Sequence, residues 1–183
     1  DLDDILGNLL AHHLIPEQRI ISVLDGCHWD VDDEFFCMVL ESKSFDPRGV
    51  MLKTSAAQLA SRLPSECYTV FDDKLVVVFD ITRLRLSQDQ VLEQAIPLFR
   101  DSFLAAGIST SFRDFKNLFY FYLQGVSALA LGMKRDPTFW YFRYDAYQLE
   151  DFIVRVKGRQ IPEALYPTGL KRLIEYDTSK GSD

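Results

Sequence analysis

The carboxylates at Asp72–Asp73 and in the run "VDDE" (31–34) are the groups whose spacing could hold a divalent cation for phosphoryl chemistry. The first pair sits at the turn of "CYTVFDDKLVVVFD" (67–80), a hairpin pattern of the kind that carries an active site in some enzymes. The second precedes an apolar run and reads most simply as a solvated loop, with a metal site as the sharper alternative. His12, His13 and His28 could ligate a metal only with Glu17 or Cys27 as company, and neither H-x-x-x-H nor C-x-x-C spacing occurs. Surface or helix-end positions account for them. Ser127 in "QGVSALALG" lacks the second glycine of a nucleophile elbow, so Gly125 and Ser127 read as small residues at a helix packing contact. Cys37 lies inside an apolar strand, where burial makes a thiol inert. The aromatic stretches "FKNLFYFYLQG" and "TFWYFRY" carry too few interleaved Lys and Arg for a base-stacking platform and read as core and interface. No glycine-rich phosphate cradle of either common kind is present.

The elements that must position these groups follow from periodicity. Leu2, Ile5, Leu6, Leu9 and Leu10, then Ile20, Ile21, Val23 and Leu24, mark two short amphipathic helices, with Pro16 suited to the first turn of the second. "DEFFCMVLE" (33–41) has the continuous apolar pattern of a central strand buried on both faces. Turn residues at 45–49 lead to a helix over 50–63 that Pro64 stops. The hairpin follows, its Asp-Asp turn compatible with left-handed backbone. Ser87-x-x-Gln90 is a capping box opening a helix to about Arg100, within which Pro97 predicts a kink or an early end. "FLAAGIS" (103–109) reads as a strand, and Ser111-x-x-Asp114 as the cap of a long helix carrying Phe112, Phe115, Leu118, Phe119, Tyr122, Val126 and Leu129 until Gly132 closes it. A strand over 138–144, a helix over 146–156, a two-proline connector over 157–169 and a last amphipathic stretch over 170–177 complete the chain.

This order, α-α, then β-α-β-β-α-β, then α-β-α, predicts an α+β protein with a ferredoxin-like core, N-terminal helices and an αβα extension. The 183 residues, 48% hydrophobic, suffice for one substantial core. The 27 acidic side chains against 20 basic give a net charge of -7, which works against a polyanion or an anionic membrane as partner. Three cysteines without C-x-x-C spacing make neither a disulfide framework nor a thiolate zinc site and fit a reducing cytoplasm. No apolar run reaches the roughly 18 to 20 residues of a membrane span, and the acidic start lacks a signal peptide's basic region. An opening without Met and a polar close suggest a fragment of a longer chain.

The run "GIS" (107–109), "FRDF" (112–115) and "YFYLQGVSALALG" after it, together with the hairpin and the strand before it, resembles the GGDEF-like domain of the PucR/CdaR family of bacterial transcriptional regulators. The resemblance covers roughly 30–156, after an N-terminal helical segment at 1–29. "YPTGLKRLIEYDTSKGSD" looks like the family's lead-in to a C-terminal helix-turn-helix, with 157–183 as connector. Diguanylate cyclases carry Asp-x-Asp-x-Phe at the end of the first strand, and the matching stretch is Glu41-Ser42-Lys43-Ser44-Phe45. Their Gly-Gly-Asp-Glu-Phe is matched by Phe71-Asp72-Asp73-Lys74-Leu75, and a register shift of one residue restores neither glycine. Lys43 places a cation where a cation should bind, and the lost glycines close the approach to a nucleotide.

The resemblance therefore implies a non-catalytic module for self-association or for sensing a small effector, without metal or cofactor. DNA would be contacted only through the separate helix-turn-helix. Two other readings stand beside it: a nucleotidyl cyclase with a drifted motif, whose surviving acids would be Glu41, Asp72 and Asp73, and a sensor that binds nucleotide without turnover. The aromatic third helix and the N-terminal helical pair are the expected faces of a homodimer, covering one another across a two-fold axis.

Overall fold

Six apolar residues in succession, Phe35 to Leu40, are all buried because the strand that contains them has a packed layer on each side. In the computed structural model, which describes residues 2–44, 67–158 and 162–180 together with Leu52, Thr54, Gln58 and Arg62, this strand is β1 (Phe35–Ser42). It pairs antiparallel with β3 (Lys74–Asp80) in the register Phe35↔Asp80 to Leu40↔Leu75, and with β4 (Leu104–Ile108) on its other edge. β2 (Cys67–Phe71) joins β3 as a hairpin, and β5 (Tyr141–Arg143) lies parallel to β4. The five-stranded mixed sheet has the order β2-β3-β1-β4-β5. The protein is α+β.

Side chains alternate across this sheet with period two, so each strand feeds two cores. Phe35, Cys37, Val39, Cys67, Val76 and Val78 point into one, with helices α1 (Leu2–Leu10) and α2 (Glu17–Gly26). Phe36, Met38, Leu40, Leu75, Val77 and Phe79 point into the other, where the helix that precedes β4 supplies Val91, Leu92, Ala95 and Phe99. Ile5, Leu6, Leu9 and Leu10 are buried in the same cluster as Leu118, Tyr122 and Leu129. The N-terminal helices and the long aromatic helix thus cover one another within one chain rather than across a two-fold axis.

A short helix, α3 (Ile81–Leu84), follows β3 with Asp80 as its cap, an element the periodicity does not announce. The capping box at Ser87 and Gln90 is formed on both sides, and α4 (Gln88–Asp101) runs through Pro97 to its end without stopping early. The cap predicted at Ser111 is not one. Phe112 instead exchanges backbone hydrogen bonds with Phe35, both 2.8 Å, extending the sheet edge by one bridge. Asp114 caps a single 3-10 turn (Phe115–Asn117), and only then does α5 (Leu118–Arg135) begin. That helix continues past Gly132, because this glycine is a packing position: a Cβ there would overlap the ring of Phe142 in β5.

The aromatic run over 138–144 gives a strand of three residues, followed by α6 (Gln148–Gly158) and α7 (Thr168–Lys180). Leu52, Thr54 and Gln58 are helical, and Leu52 is buried in the second core. Arg62, inside the helix expected over 50–63, is in a turn, and the turn at 45–49 and the other residues of that helix lie outside the described residues. No helix among the described residues is long and apolar enough to cross a membrane.

Candidate functional site

The antiparallel register of β1 and β3 brings the motif positions to one end of the sheet. Leu40 faces Leu75, so Glu41 comes next to Lys74, and the Asp72–Asp73 turn stands just beyond. Both turn residues have left-handed backbone, φ 48° and 56°, the signature of a two-residue primed hairpin turn whose twist matches the flanking strands. The turn is therefore fixed by geometry that two aspartates satisfy at some cost. Lys74 Nζ reaches back to the carbonyl of Asp72 at 3.4 Å.

Phe71 directly precedes the turn, and its ring meets that of Tyr122 edge-on at 5.5 Å. It forms part of a shallow cleft of about 550 Å³ lined also by Leu10, Asp72, Phe119 and Val126. Burial pushes the Tyr122 hydroxyl up to about 12, and the neighbouring Asp72 carboxylate adds to the shift. Phe71, Phe119 and Tyr122 thus form an aromatic wall beside the turn. Leu75 is buried in the sheet and offers nothing to a ligand.

Lys43 is the most engaged residue at this end. Its backbone N–H donates to Phe103 at 2.9 Å, while Nζ donates to the carbonyls of Pro137 and Phe139 at 2.6 and 2.8 Å. The ammonium also lies 4.2 Å from the centroid of the Trp140 ring, within cation-π range. Asp136, at the same corner, is held below the ordinary carboxylate range chiefly by hydrogen bonds from Thr138, with Lys43 contributing. The Lys43 side chain is a strut tying the end of β1 to the loop between α5 and β5.

The other sequence candidates do not join this end. His12 stacks on Phe119 with centroids 4.2 Å apart, His13 bonds Asn8, and His28 offers its backbone carbonyl to Arg83. Among the described residues no three His, Cys, Asp or Glu side chains are grouped to hold a metal ion. Cys37 and Cys67 are buried, and burial drives both thiols above their ordinary range. Gly125 packs against Gly107 and Val39, while the Ser127 hydroxyl accepts a hydrogen bond from Arg155 at 2.9 Å.

At the opposite end of the sheet lies a group that the sequence reading misses. Asp80 is 3% exposed, and its Oδ1 accepts the Arg83 amide at 2.9 Å. Oδ2 is buried with no hydrogen-bond partner. Burial raises this carboxyl to about 6, the Arg83 N–H opposes the rise, and Asp33 pushes it up again. The run at 31–34 is accordingly more than a solvated loop. Asp33 approaches Asp80, and Glu34 pairs with Arg113 at 3.7 Å. The only available signal is an Asp closing a strand just before a short helix, the ordinary place of an N-cap.

Two further clefts flank these elements. One of about 410 Å³ is of mixed character, lined by Glu34, Ile81, Thr82, Leu86, Gln88 and Arg143, and Arg143 is already ion-paired with Asp89. The other, about 480 Å³, has Phe112 and Phe121 stacked 4.1 Å apart, with Arg113 and Lys171 also in its lining. Compared with known proteins, the chain matches no family model, no curated protein and no solved structure.

Proposed function

We propose that the chain is a non-catalytic regulatory domain, the GGDEF-like module of a PucR/CdaR-type transcriptional regulator, acting in self-association or effector sensing. The observation that carries this reading is Lys43, whose ammonium is spent on two carbonyls and a tryptophan face at the position of a metal-binding acid. Phe71, walling the turn where a glycine would open it, supports the same conclusion. The strand order β2-β3-β1-β4, antiparallel at every step, is the order expected of a ferredoxin-like core and supports the proposed module. For the sensing role, the cleft with the Phe112–Phe121 stack, Arg113 and Lys171 offers an aromatic surface and two cations. DNA contact is left to a separate helix-turn-helix, in keeping with the net charge of -7.

The test is direct. Incubation with GTP or ATP and magnesium or manganese is expected to yield no cyclic or linear dinucleotide above a protein-free blank. Turnover that Glu41→Gln or Asp73→Asn abolishes would replace this reading with that of a drifted cyclase.

A further inference from the structure

The cleft of about 550 Å³ beside the hairpin turn opens where three elements meet: the end of α1 supplies Leu10, the hairpin Phe71 and Asp72, and α5 Phe119, Tyr122 and Val126. The α5 positions are three and four residues apart and so share one side of the helix. The rings are already held. Phe71 meets Tyr122 with planes at 85°, and Phe119 is stacked against His12 with centroids 4.2 Å apart, so little ordering remains to be done when a ligand enters. Asp72 is the only charged residue of the lining among the described residues. Its carboxylate makes no hydrogen bond or ion pair with any described residue, and Lys74 directs its ammonium to the Asp72 backbone carbonyl instead, at 3.4 Å. The Tyr122 hydroxyl likewise has no hydrogen-bond partner among the described residues. Burial first and then the Asp72 charge hold the proton on that hydroxyl, which places phenol and carboxylate at one space.

We infer that this cleft binds a small organic cation, a singly charged ammonium on an apolar body, with Asp72 as its counter-ion. A cation is attracted by the rings as well as by the carboxylate, whereas an anion would meet only repulsion from the one charge in the lining. The apolar floor takes the body, and the volume is within the range of small-molecule sites. The net charge of -7 draws in the same sign of ligand. This site lies apart from the cleft of Arg113 and Lys171 and does not rest on the regulatory reading.

Three probes with one apolar body test it by amide NMR titration: 2-phenylethylammonium, the neutral 2-phenylethanol and the anionic 3-phenylpropanoate. The ammonium is expected to shift amides of the turn and of the first half of α5 and to saturate in about the millimolar range, with the alcohol weaker and the carboxylate weakest. Asp72→Asn removes the charge while keeping a residue that tolerates the left-handed turn, and should weaken the ammonium about three- to tenfold without weakening the alcohol. Asp73→Asn makes the same change of charge one residue away, outside the lining, and should leave binding nearly as it was. Thermal melts establish that both variants are folded. A wild type whose lining amides do not move through the millimolar range would overturn the inference. So would a carboxylate that binds as well as the ammonium, or an Asp73→Asn loss equal to that of Asp72→Asn, which would reduce the effect to overall charge. None of these outcomes bears on the turnover assay, so a failed cation site and a failed non-catalytic reading are told apart.

Discussion

Gly107 in β4 and Gly125 in α5 meet backbone against backbone. A Cβ on Gly107 would overlap the Gly125 carbonyl oxygen and stand 2.8 Å from Leu129 Cβ, and one on Gly125 would stand 2.6 Å from Val39 Cγ2. The pair sets how closely the long helix lies on the sheet. Gly107→Ala must therefore move a helix, since the obstructing atom is backbone, and should cost at least about 3 kcal/mol by urea unfolding. Gly7, in α1, has open space around it, and Gly7→Ala should instead gain about 0.5–1 kcal/mol. Equal effects at the two sites would contradict the packing argument.

Asp80 predicts an unusual pH dependence. Its carboxyl titrates near 6 in the folded chain against an ordinary value of 3.8, because it is buried and next to Asp33. Between these values the folded state holds a proton that the unfolded chain has lost, so this group's contribution is fully present below 3.8 and is lost as pH rises through 6. Asp80→Asn keeps an oxygen for the Arg83 amide and supplies an N–H toward Asp33. Unfolding free energies at pH 4.5 and 7 should show the variant gaining on the wild type at the higher pH. An unchanged difference would mean that Asp80 is ionised throughout.

What the chain discloses by itself is what depends on near neighbours. β1 is legible because a strand buried on both faces must be apolar without interruption, and the capping box at Ser87 because both partners lie within four residues. The hairpin positions 71–75 are legible for the same reason. Gly132 is misread as a helix end because its purpose is Phe142, ten residues on and across a layer. Asp80 is missed because only its pairing with Phe35 carries it into the interior. The charge of Lys43 is legible in the sequence, but its carbonyl partners, Pro137 and Phe139, are set by tertiary contact.

The three cysteines should divide by burial. Cys37 and Cys67 are enclosed, with their thiols pushed up by desolvation, while Cys27 is partly exposed at the end of α2. Thiolate is the reactive form, so an aromatic disulfide reagent at pH 8 should titrate one thiol promptly and the other two only on unfolding. Prompt reaction of all three would show that the sheet opens in the native state.

The hairpin turn stores strain that a single change can release. Asp73 holds φ at 56°, a region costing an ordinary residue about 1–2 kcal/mol and glycine little. After allowing for glycine's greater freedom in the unfolded chain, Asp73→Gly should raise stability by about 0.5–1 kcal/mol. The thermal midpoint measures it, and a lower midpoint would mean that the Asp73 side chain contributes a contact outweighing the strain.

Helix α6 is fastened to the body through charged side chains, while its Leu149, Ile153, Val154 and Val156 stand exposed. Asp151 accepts from Tyr144 and Arg155 at once, and Arg155 Nη2 continues to the Ser127 hydroxyl on α5 at 2.9 Å. Removing the carboxylate leaves a half-buried guanidinium and a buried hydroxyl without their acceptor, a loss that exceeds the net worth of the bonds themselves. Asp151→Ala should cost about 3 kcal/mol, and the double variant Asp151→Ala/Arg155→Ala less than the sum of the two single changes. The loss should be concentrated on one element: hydrogen exchange ought to quicken in α6 well before it does in β1, whose contacts lie in both cores. Uniform quickening across the protein would show that the network holds the whole fold together rather than fastening one helix to it.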